Sequence, residues 1–430
     1  MSLSSAEQLL LELINRARLD PVSEAARYGI ALNDGLPAGT LGTQSRQVLA
    51  PNAMLESAAV SHSQWMLAAD VFSHTETGGS GVGTRATAAG YHWSNIGENI
   101  SWRGTTGTMN LDAAIAEQNR DLFLSAGHRT NMLNDSYQEV GLGQERGSFV
   151  TAGQAYDSLM LTEVFGRSGS AVFLTGVAYT DINKNAFYSI GEGRSGVTFS
   201  AQGQIASTAA AGGYALALTA NSAVQVTGNV GSVAFSATVS LANGNVKLDV
   251  VDGTTFRTSG SVTLGTGIHN VSLLGTNGLV AIGNDAANSI VGNQGGNTLL
   301  GGLGGDRIDG AAGNDSIAGG LGYDTLFGAL GNDQLFGQGG NDQLFGGSGA
   351  DRLDGGASGD LLVGGADRDS FVFMSGCGRD KIADFTVAAS EKLVFDDALW
   401  GNVAMTGAQV VTTFGKIVDG EVEFVFSLEN

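Results

Sequence analysis

Oxygen donors at a fixed interval are the first chemistry this sequence offers. Asp306, Asp315, Asp324, Asp333, Asp342, Asp351, Asp360 and Asp369 recur at every ninth position, and Asn288 and Asn297 hold the two preceding places. From Gly283 the chain divides into ten nonapeptides without insertion, with these residues at position six. Position eight is always apolar, running Ile290, Leu299, Ile308, Ile317, Leu326, Leu335, Leu344, Leu353, Leu362 and Phe371. Glycine permits turns at positive φ and leaves backbone carbonyls open, so each of the eight aspartate repeats offers a carboxylate in a flexible, oxygen-rich turn. Such hard donors suit Ca2+ rather than Zn2+ or Mg2+. Asp309 and Asp354, at position nine, read as solvated rather than ligating.

A second set of oxygens, Asp181, Asn183, Asn185 and Glu192, has EF-hand-like spacing at places 1, 3, 5 and 12. Ala186 stands where that loop needs Gly, and no flanking helices are expected. The loop resembles the D-x-N-x-N…G-E segment of bacterial surface B-type repeats, which implies a candidate Ca2+ site; the alternative is an Asn-rich turn. Standard enzyme signatures are missing: there is no H-E-x-x-H, P-loop or G-x-S-x-G, and the H-T-E at 74–76 lacks a deaminase's Cys pair.

The ten repeats resemble the G-G-x-G-x-D-x-U-x pattern of RTX proteins, whose repeats form a parallel β-roll. With two nonapeptides per coil, aspartates two repeats apart stack about 4.8 Å from one another on one edge. The pairs are Asp306/Asp324, Asp315/Asp333, Asp324/Asp342, Asp333/Asp351, Asp342/Asp360 and Asp351/Asp369, and such columns need a counter-ion. The neutral Asn288 and Asn297 imply weak calcium binding or a cap in the first two repeats. The element at Asp380–Phe385 is similar to the cap that follows RTX arrays, and the tail EVEFVFSLEN to a type I secretion signal. This resemblance implies export by an ABC-type type I exporter and folding on Ca2+ outside the cell.

Residues 1–168 include four of the five histidines, His62, His74, His92 and His128. Here LINRAR (13–18), AAVSHSQWM (58–66), FSHT (72–75), GTRATAAGY (83–91), GENI (97–100), SAGHRTNMLN (125–134) and EVGLG (139–143) occur in order. They resemble the CAP superfamily (cysteine-rich secretory, antigen 5 and pathogenesis-related-1 proteins) in its disulfide-free bacterial form. That family gathers two His and two Glu in a cavity. The resemblance places His74, Glu98 and His128 in three of those positions and Ser125 in the fourth; no motif places the nearby Glu117 or Asp121 there. Two imidazoles and a carboxylate could hold Zn2+ or another divalent metal, carry acid–base work, or simply fix the cavity loops by hydrogen bonding. His62 reads as a core histidine, His92 as surface or rim. Arg129 and Asn131 read as locks on a turn, with ligand binding as the alternative.

The elements that must position these groups follow from periodicity. Ser4 and Glu7 have capping-box spacing, and Leu9, Leu10, Leu13 and Ile14 make a helical stripe that ends before Pro21. Further helices are predicted near 55–69 and 111–123, and strands at 139–143 and 159–165. Between 170 and 282, short alternating runs broken by glycine predict a small antiparallel β-sandwich module. The expected organisation is an α-β-α sandwich (1–168), a β-sandwich module (169–282), a parallel β-roll (283–372), and a β cap with secretion signal (373–430).

Composition narrows the partners. Asp and Glu number 42 against 21 Lys and Arg, a net charge of −21, and residues 283–430 hold 21 of the acids with only 7 bases. So acidic a surface disfavours nucleic acid and anionic membranes. No apolar run reaches the roughly 18 residues of a membrane span. Cys377 is single, which excludes an intramolecular disulfide. The amino terminus has no basic or apolar region of a Sec signal peptide. With these exclusions, the two resemblances imply a secreted, extracellular calcium-binding protein, with cell-surface association as a variant of that reading. Its CAP domain is expected to bind a lipid, glycan or protein, the alternative being a metal-dependent hydrolase using His74, Glu98 and His128.

Overall fold

The computed structural model describes residues 3–385, 391–395, 415–418 and 421–425. The chain forms two compact units. One comprises Met1–Ala234 with Ser240–Gly253, the other Phe235–Val239 with Thr254–Asn430.

The first unit starts with α1 (Ser5–Leu19), where the Ser4 hydroxyl accepts from the Glu7 amide and the Glu7 carboxylate accepts from the Ser4 amide. Asp20 ends this helix and caps α2 (Pro21–Arg27), which has Pro in its first turn. The remaining helices are α3 (Ala53–Ala69), α4 (Val82–Ala88), α5 (Leu111–Leu124) and α6 (Ala126–Met132). Their sheet has the order β1 (Ala50–Pro51), β3 (Glu139–Thr151), β4 (Gln154–Arg167), β2 (Asn95–Thr105). Alternation along β4 sends Val164 towards α3 and its neighbours, while Phe165 joins Leu10 and Ile14 of α1 and Phe123 of α5. Helices therefore cover both faces. Gly141 and Gly143 explain the EVGLG segment: a Cβ on either would stand 2.0 or 2.4 Å from the α3 backbone at Leu55 and Ala59. Glycine lets that helix rest directly on β3.

The LINRAR segment is structural. Asn15 exchanges hydrogen bonds with the backbone of Leu49, and the buried Arg18 donates to the carbonyls of Gln47, Met132 and Asn134. These bonds tie α1 to the segment before β1 and to the end of α6.

Seven more strands follow: β5 (Val172–Tyr179), β6 (Thr198–Ala201), β7 (Gln204–Ser207), β8 (Gly213–Leu218), β9 (Val224–Val230), β10 (Val233–Val239) and β11 (Val246–Val251). β5 pairs antiparallel with β8 and parallel with β11, and β6 pairs antiparallel with both β7 and β9. This layer shares the core of the helical part rather than standing apart. Val177, Tyr179, Tyr188 and Val251 pack in one cluster with Leu10, Ile14, Tyr137 and Phe165. Lys247 on β11 lies 2.7 Å from Glu12 of α1 and also pairs with Asp249, all three side chains being buried.

In the second unit, Ala237–Val239 of β10 pairs antiparallel with Val262–Leu264, and from Thr255–Thr258 onward the chain winds into two parallel sheets. Each coil takes two nonapeptides. Successive coils set Leu299 beside Ile317, Leu335 and Leu353 in one sheet, and Ile308 beside Leu326, Leu344 and Leu362 in the other. All ten position-eight side chains, Ile290 to Phe371, are fully buried between them.

The winding begins before the repeats, and this corrects the antiparallel module expected as far as residue 282. Phe256 pairs with Val271, Val271 with Ile290, and Val262 with Ala281, all parallel. The steps from Phe256 to Val271 and from Val271 to Ile290 are unequal and neither matches two nonapeptides, so these coils read as unrelated β runs. After the repeats, Phe371 pairs with Leu393 and Leu362 with Ile382. The strands Gly415–Val418 and Glu421–Val425 pair with each other, and the second also with Arg379–Ile382. Residues 426–430 of the expected secretion signal lie outside the described residues. Among the described residues, no helix is long and apolar enough to cross a membrane.

Candidate functional site

The repeat aspartates form two columns. In each, a backbone amide donates to Oδ1 of the aspartate one coil further on: Asp306 to Asp324, Asp324 to Asp342 and Asp342 to Asp360, and in the other Asp315 to Asp333, Asp333 to Asp351 and Asp351 to Asp369, at 2.7–2.9 Å. These eight residues are at most 3% exposed, and Oδ2 of every one is buried without a hydrogen-bond partner. Burial, opposed by the single backbone hydrogen bond and aided by column neighbours, pushes Asp315, Asp342 and Asp351 up to about 7. Glycine at position one makes room. A Cβ on Gly301, Gly310, Gly319, Gly328, Gly337, Gly346, Gly355 or Gly364 would stand 2.2–2.5 Å from Oδ2 of its own repeat's aspartate. Unpartnered hard oxygens, ionised only at a cost while no cation faces them, are the donor set a calcium ion needs.

The column continues past the last repeat. The Asp360 amide donates to Asp380 at 3.0 Å, and the Gly364 and Gly365 amides donate to Asp384 at 3.0 and 2.8 Å. Burial, then Asp360, raises Asp380 to about 8. The step from Asp360 to Asp380 is longer than the preceding one from Asp342 to Asp360, so the period hid Asp380. Its only signal was the element at 380–385. Asp309 accepts from the Ala311 amide; Asp354 is buried against Arg352 rather than solvated as expected, because the last coils pack over it.

In the first unit, FSHT and GENI bring His74 to Glu98: Nδ1 lies 2.9 Å from Oε1. The second oxygen of Glu98 accepts from Arg85 on α4, which also donates to the carbonyls of His74 and Ser80. Ser125 stands at the junction of α5 and α6, so the partner that completes this site is a guanidinium from GTRATAAGY. His74 is 54% exposed at its side chain. His128, half-buried on α6, is held below its ordinary range by burial and by His74. Among the described residues, no three His, Cys, Asp or Glu side chains are placed to hold a metal ion. A cation beside Glu98 would also meet Arg85.

The remaining candidates sit elsewhere. His62 is fully buried between Glu76 and the Ser73 carbonyl, and His92 is exposed. Glu117 and Asp121 pair with Arg103. Arg129 is buried and donates to the carbonyls of Phe123, Leu124 and Asp34, while Asn131 donates to Glu98 O and to Asn99. Sequence reasoning missed Glu163 beneath the site. Burial raises it to about 7; it accepts from Asn99, which also donates to the His128 carbonyl. Nothing in the local sequence marks it.

In the 181–192 loop, Asp181 accepts from the Asn185 and Ala186 amides, and Glu192 from those of Ile182, Asn183 and Ser189. Both carboxylates are buried, with Asn183 and Asn185 exposed above them. The loop is closed by its own amides.

Comparison with known proteins agrees with this division. Residues 11–152 match the model of the cysteine-rich secretory protein family (CAP), and residues 282–317, 309–344 and 336–371 that of the RTX calcium-binding nonapeptide repeat. A search of curated proteins gives no match. Among solved structures, an extracellular protein containing an SCP domain from Bacillus anthracis is 24% identical over 28% of this chain and 34% of its own, with a TM-score of 0.22. An outer surface protein from Borrelia burgdorferi is 14% identical over 28% of this chain and 78% of its own, with a TM-score of 0.21. The chain thus spans about a third of the first of these structures. It carries a CAP domain at its amino-terminal end, followed by a parallel β-roll of RTX calcium-binding repeats.

Proposed function

We propose that this chain is an extracellular protein, exported by an ABC-type type I exporter, whose repeats fold on Ca2+ outside the cell. The observation that carries the calcium reading is the set of eight buried Oδ2 atoms without a partner. Asp306, Asp315, Asp324, Asp333, Asp342, Asp351, Asp360 and Asp369 would hold the ions, which supply the positive charge the columns lack. At submicromolar cytosolic calcium the repeats stay unfolded and can be threaded; at about millimolar calcium the sites fill, and binding free energy becomes folding free energy. The 181–192 loop is a weaker calcium candidate, since amides already serve its carboxylates.

The CAP domain, on the same proposal, binds a lipid, glycan or protein without hydrolysing it. Supporting this is the saturation of Glu98, whose two oxygens are engaged by His74 and Arg85. The Arg85 guanidinium beside this carboxylate sets a positive charge where a metal ion would have to sit. Zn2+ titrated into the calcium-loaded full chain is therefore expected to give the same heat for wild type and the His74→Ala/His128→Ala variant. Micromolar binding lost in the variant would overturn this half of the proposal and make the hydrolase reading the better one.

A further inference from the structure

The first two nonapeptide turns differ from the other eight in backbone and side chain alike. From the third repeat onward, position two lies at positive φ (Gly302, Ala311, Gly320, Ala329, Gln338, Gly347, Gly356, Gly365). Position four does the same from Gly304 to Gly349 and on through Ser358 and Asp367. Positions two and four of the first two repeats, Asn284, Ala286, Asn293 and Gly295, do not. These two turns also hold a second asparagine each. Asn288 Oδ1 accepts from the Asn284 amide at 2.8 Å, and Asn288 Nδ2 donates to Asn284 Oδ1 at 3.0 Å; Asn297 and Asn293 repeat both bonds at 2.9 and 3.1 Å.

The amide nitrogen of the position-two asparagine reaches back to the preceding coil. Asn284 Nδ2 donates to the carbonyls of Gly265 and Ile268 at 2.6 and 3.2 Å, and Asn293 Nδ2 to those of Leu274 and Asn277 at 3.2 and 3.0 Å. Asn288 Nδ2 donates to the His269 carbonyl at 2.8 Å as well. A donor therefore lies among carbonyls and a side-chain oxygen in each of these turns, whereas each aspartate turn has an unpartnered carboxylate oxygen instead. Neutral amides satisfy the turn without adding charge to the column.

We propose that Asn284–Asn288 and Asn293–Asn297 are turns in which the chain's own side-chain amides take the place of Ca2+. They make residues 262–300 a calcium-independent end of the roll, with a finished strand edge on which the calcium-dependent coils can add. The idea rests on the reading of the aspartate turns as calcium sites, and it explains why a nonapeptide array would open with two repeats that lack the aspartate. Parallel coils have no local partner, so a preformed edge removes part of the cost of starting the next one.

Hydrogen exchange of the full chain in chelator tests this. Protection is expected to persist over 262–300 while 301–385 exchange freely; loss of both together overturns the proposal. If both stay protected, it is the calcium reading that fails. Asn284→Asp/Asn293→Asp then decides the asparagine turns by itself: about tenfold faster exchange over 262–300 supports them, and unchanged exchange overturns them. A second variant reads gain instead of loss. Asn284→Gly/Asn288→Asp is expected to raise the number of calcium ions bound per chain in calorimetry. A wild-type chain whose calcium count falls on Asn284→Ala/Asn293→Ala would show that these turns hold metal after all.

Discussion

Chelating calcium from the full chain at pH 8 is expected to abolish the β signal of residues 301–385, and restoring about millimolar Ca2+ to bring it back. The size of the effect follows from the columns. Eight carboxylates sit buried with one oxygen unpartnered, and six pairs share a column at one-coil spacing. Leaving a buried ionised group unpaired costs several kcal/mol, so eight of them exceed the roughly 5–15 kcal/mol that stabilises an ordinary domain. The ionised, metal-free roll cannot hold.

Protonation offers the other escape. Asp315, Asp342 and Asp351 are raised from 3.8 to about 7 by burial, so between those values the folded, metal-free form binds more protons than the unfolded chain. Its stability therefore falls as pH rises from about 4 to about 7. Calcium binding runs the opposite way, weakening as pH falls below about 7 because protons compete for the same oxygens. Circular dichroism in chelator should accordingly recover part of the β signal near pH 4. An identical signal at pH 8 with chelator and with calcium would sink the prediction.

How far the sequence disclosed this architecture depended on whether a contact was periodic or long-range. The columns from Asp306 to Asp369 could be paired in advance because a strict interval fixes register. Asp380 and the coils from 255 to 282 escaped because the steps Asp360–Asp380, Phe256–Val271 and Val271–Ile290 are all unequal and give no interval to follow. In the CAP domain, seven ordered segments named His74, Glu98 and His128 as candidates, and the structure joins His74 to Glu98 directly. The role of Arg85 was not legible, although it lay inside a segment already singled out: a guanidinium's partner is set by how α4 meets β2. Glu163 was invisible for a like reason, since burial is decided by strands far apart in sequence. The β module read as a sandwich of its own because alternation reports that one face is buried but not what covers it.

What covers it gives the last prediction. Lys247→Met is expected to lower the melting temperature of the first unit by about 10 °C, read by calorimetry on the calcium-loaded full chain. Lys247 is held above its ordinary range because Asp249 and Glu12 together outweigh the burial that would lower it. Glu12 is raised by burial against the pull of Lys247, with Asp249 pushing it further. Deleting the cation leaves two carboxylates buried and facing one another. Breaking a buried ion network in this way costs about 3–5 kcal/mol, and each kcal/mol moves the midpoint of a domain this size by about 2–4 °C. Neutralising all three, in Glu12→Gln/Lys247→Met/Asp249→Asn, should recover most of the loss, since no charge then lies unpaired. Wild-type melting in Lys247→Met would mean that the β layer and α1 do not depend on each other. The expected result instead makes residues 170–234 and 240–253 part of the fold that holds His74, Glu98 and His128, because α1, β3 and β11 then share one core.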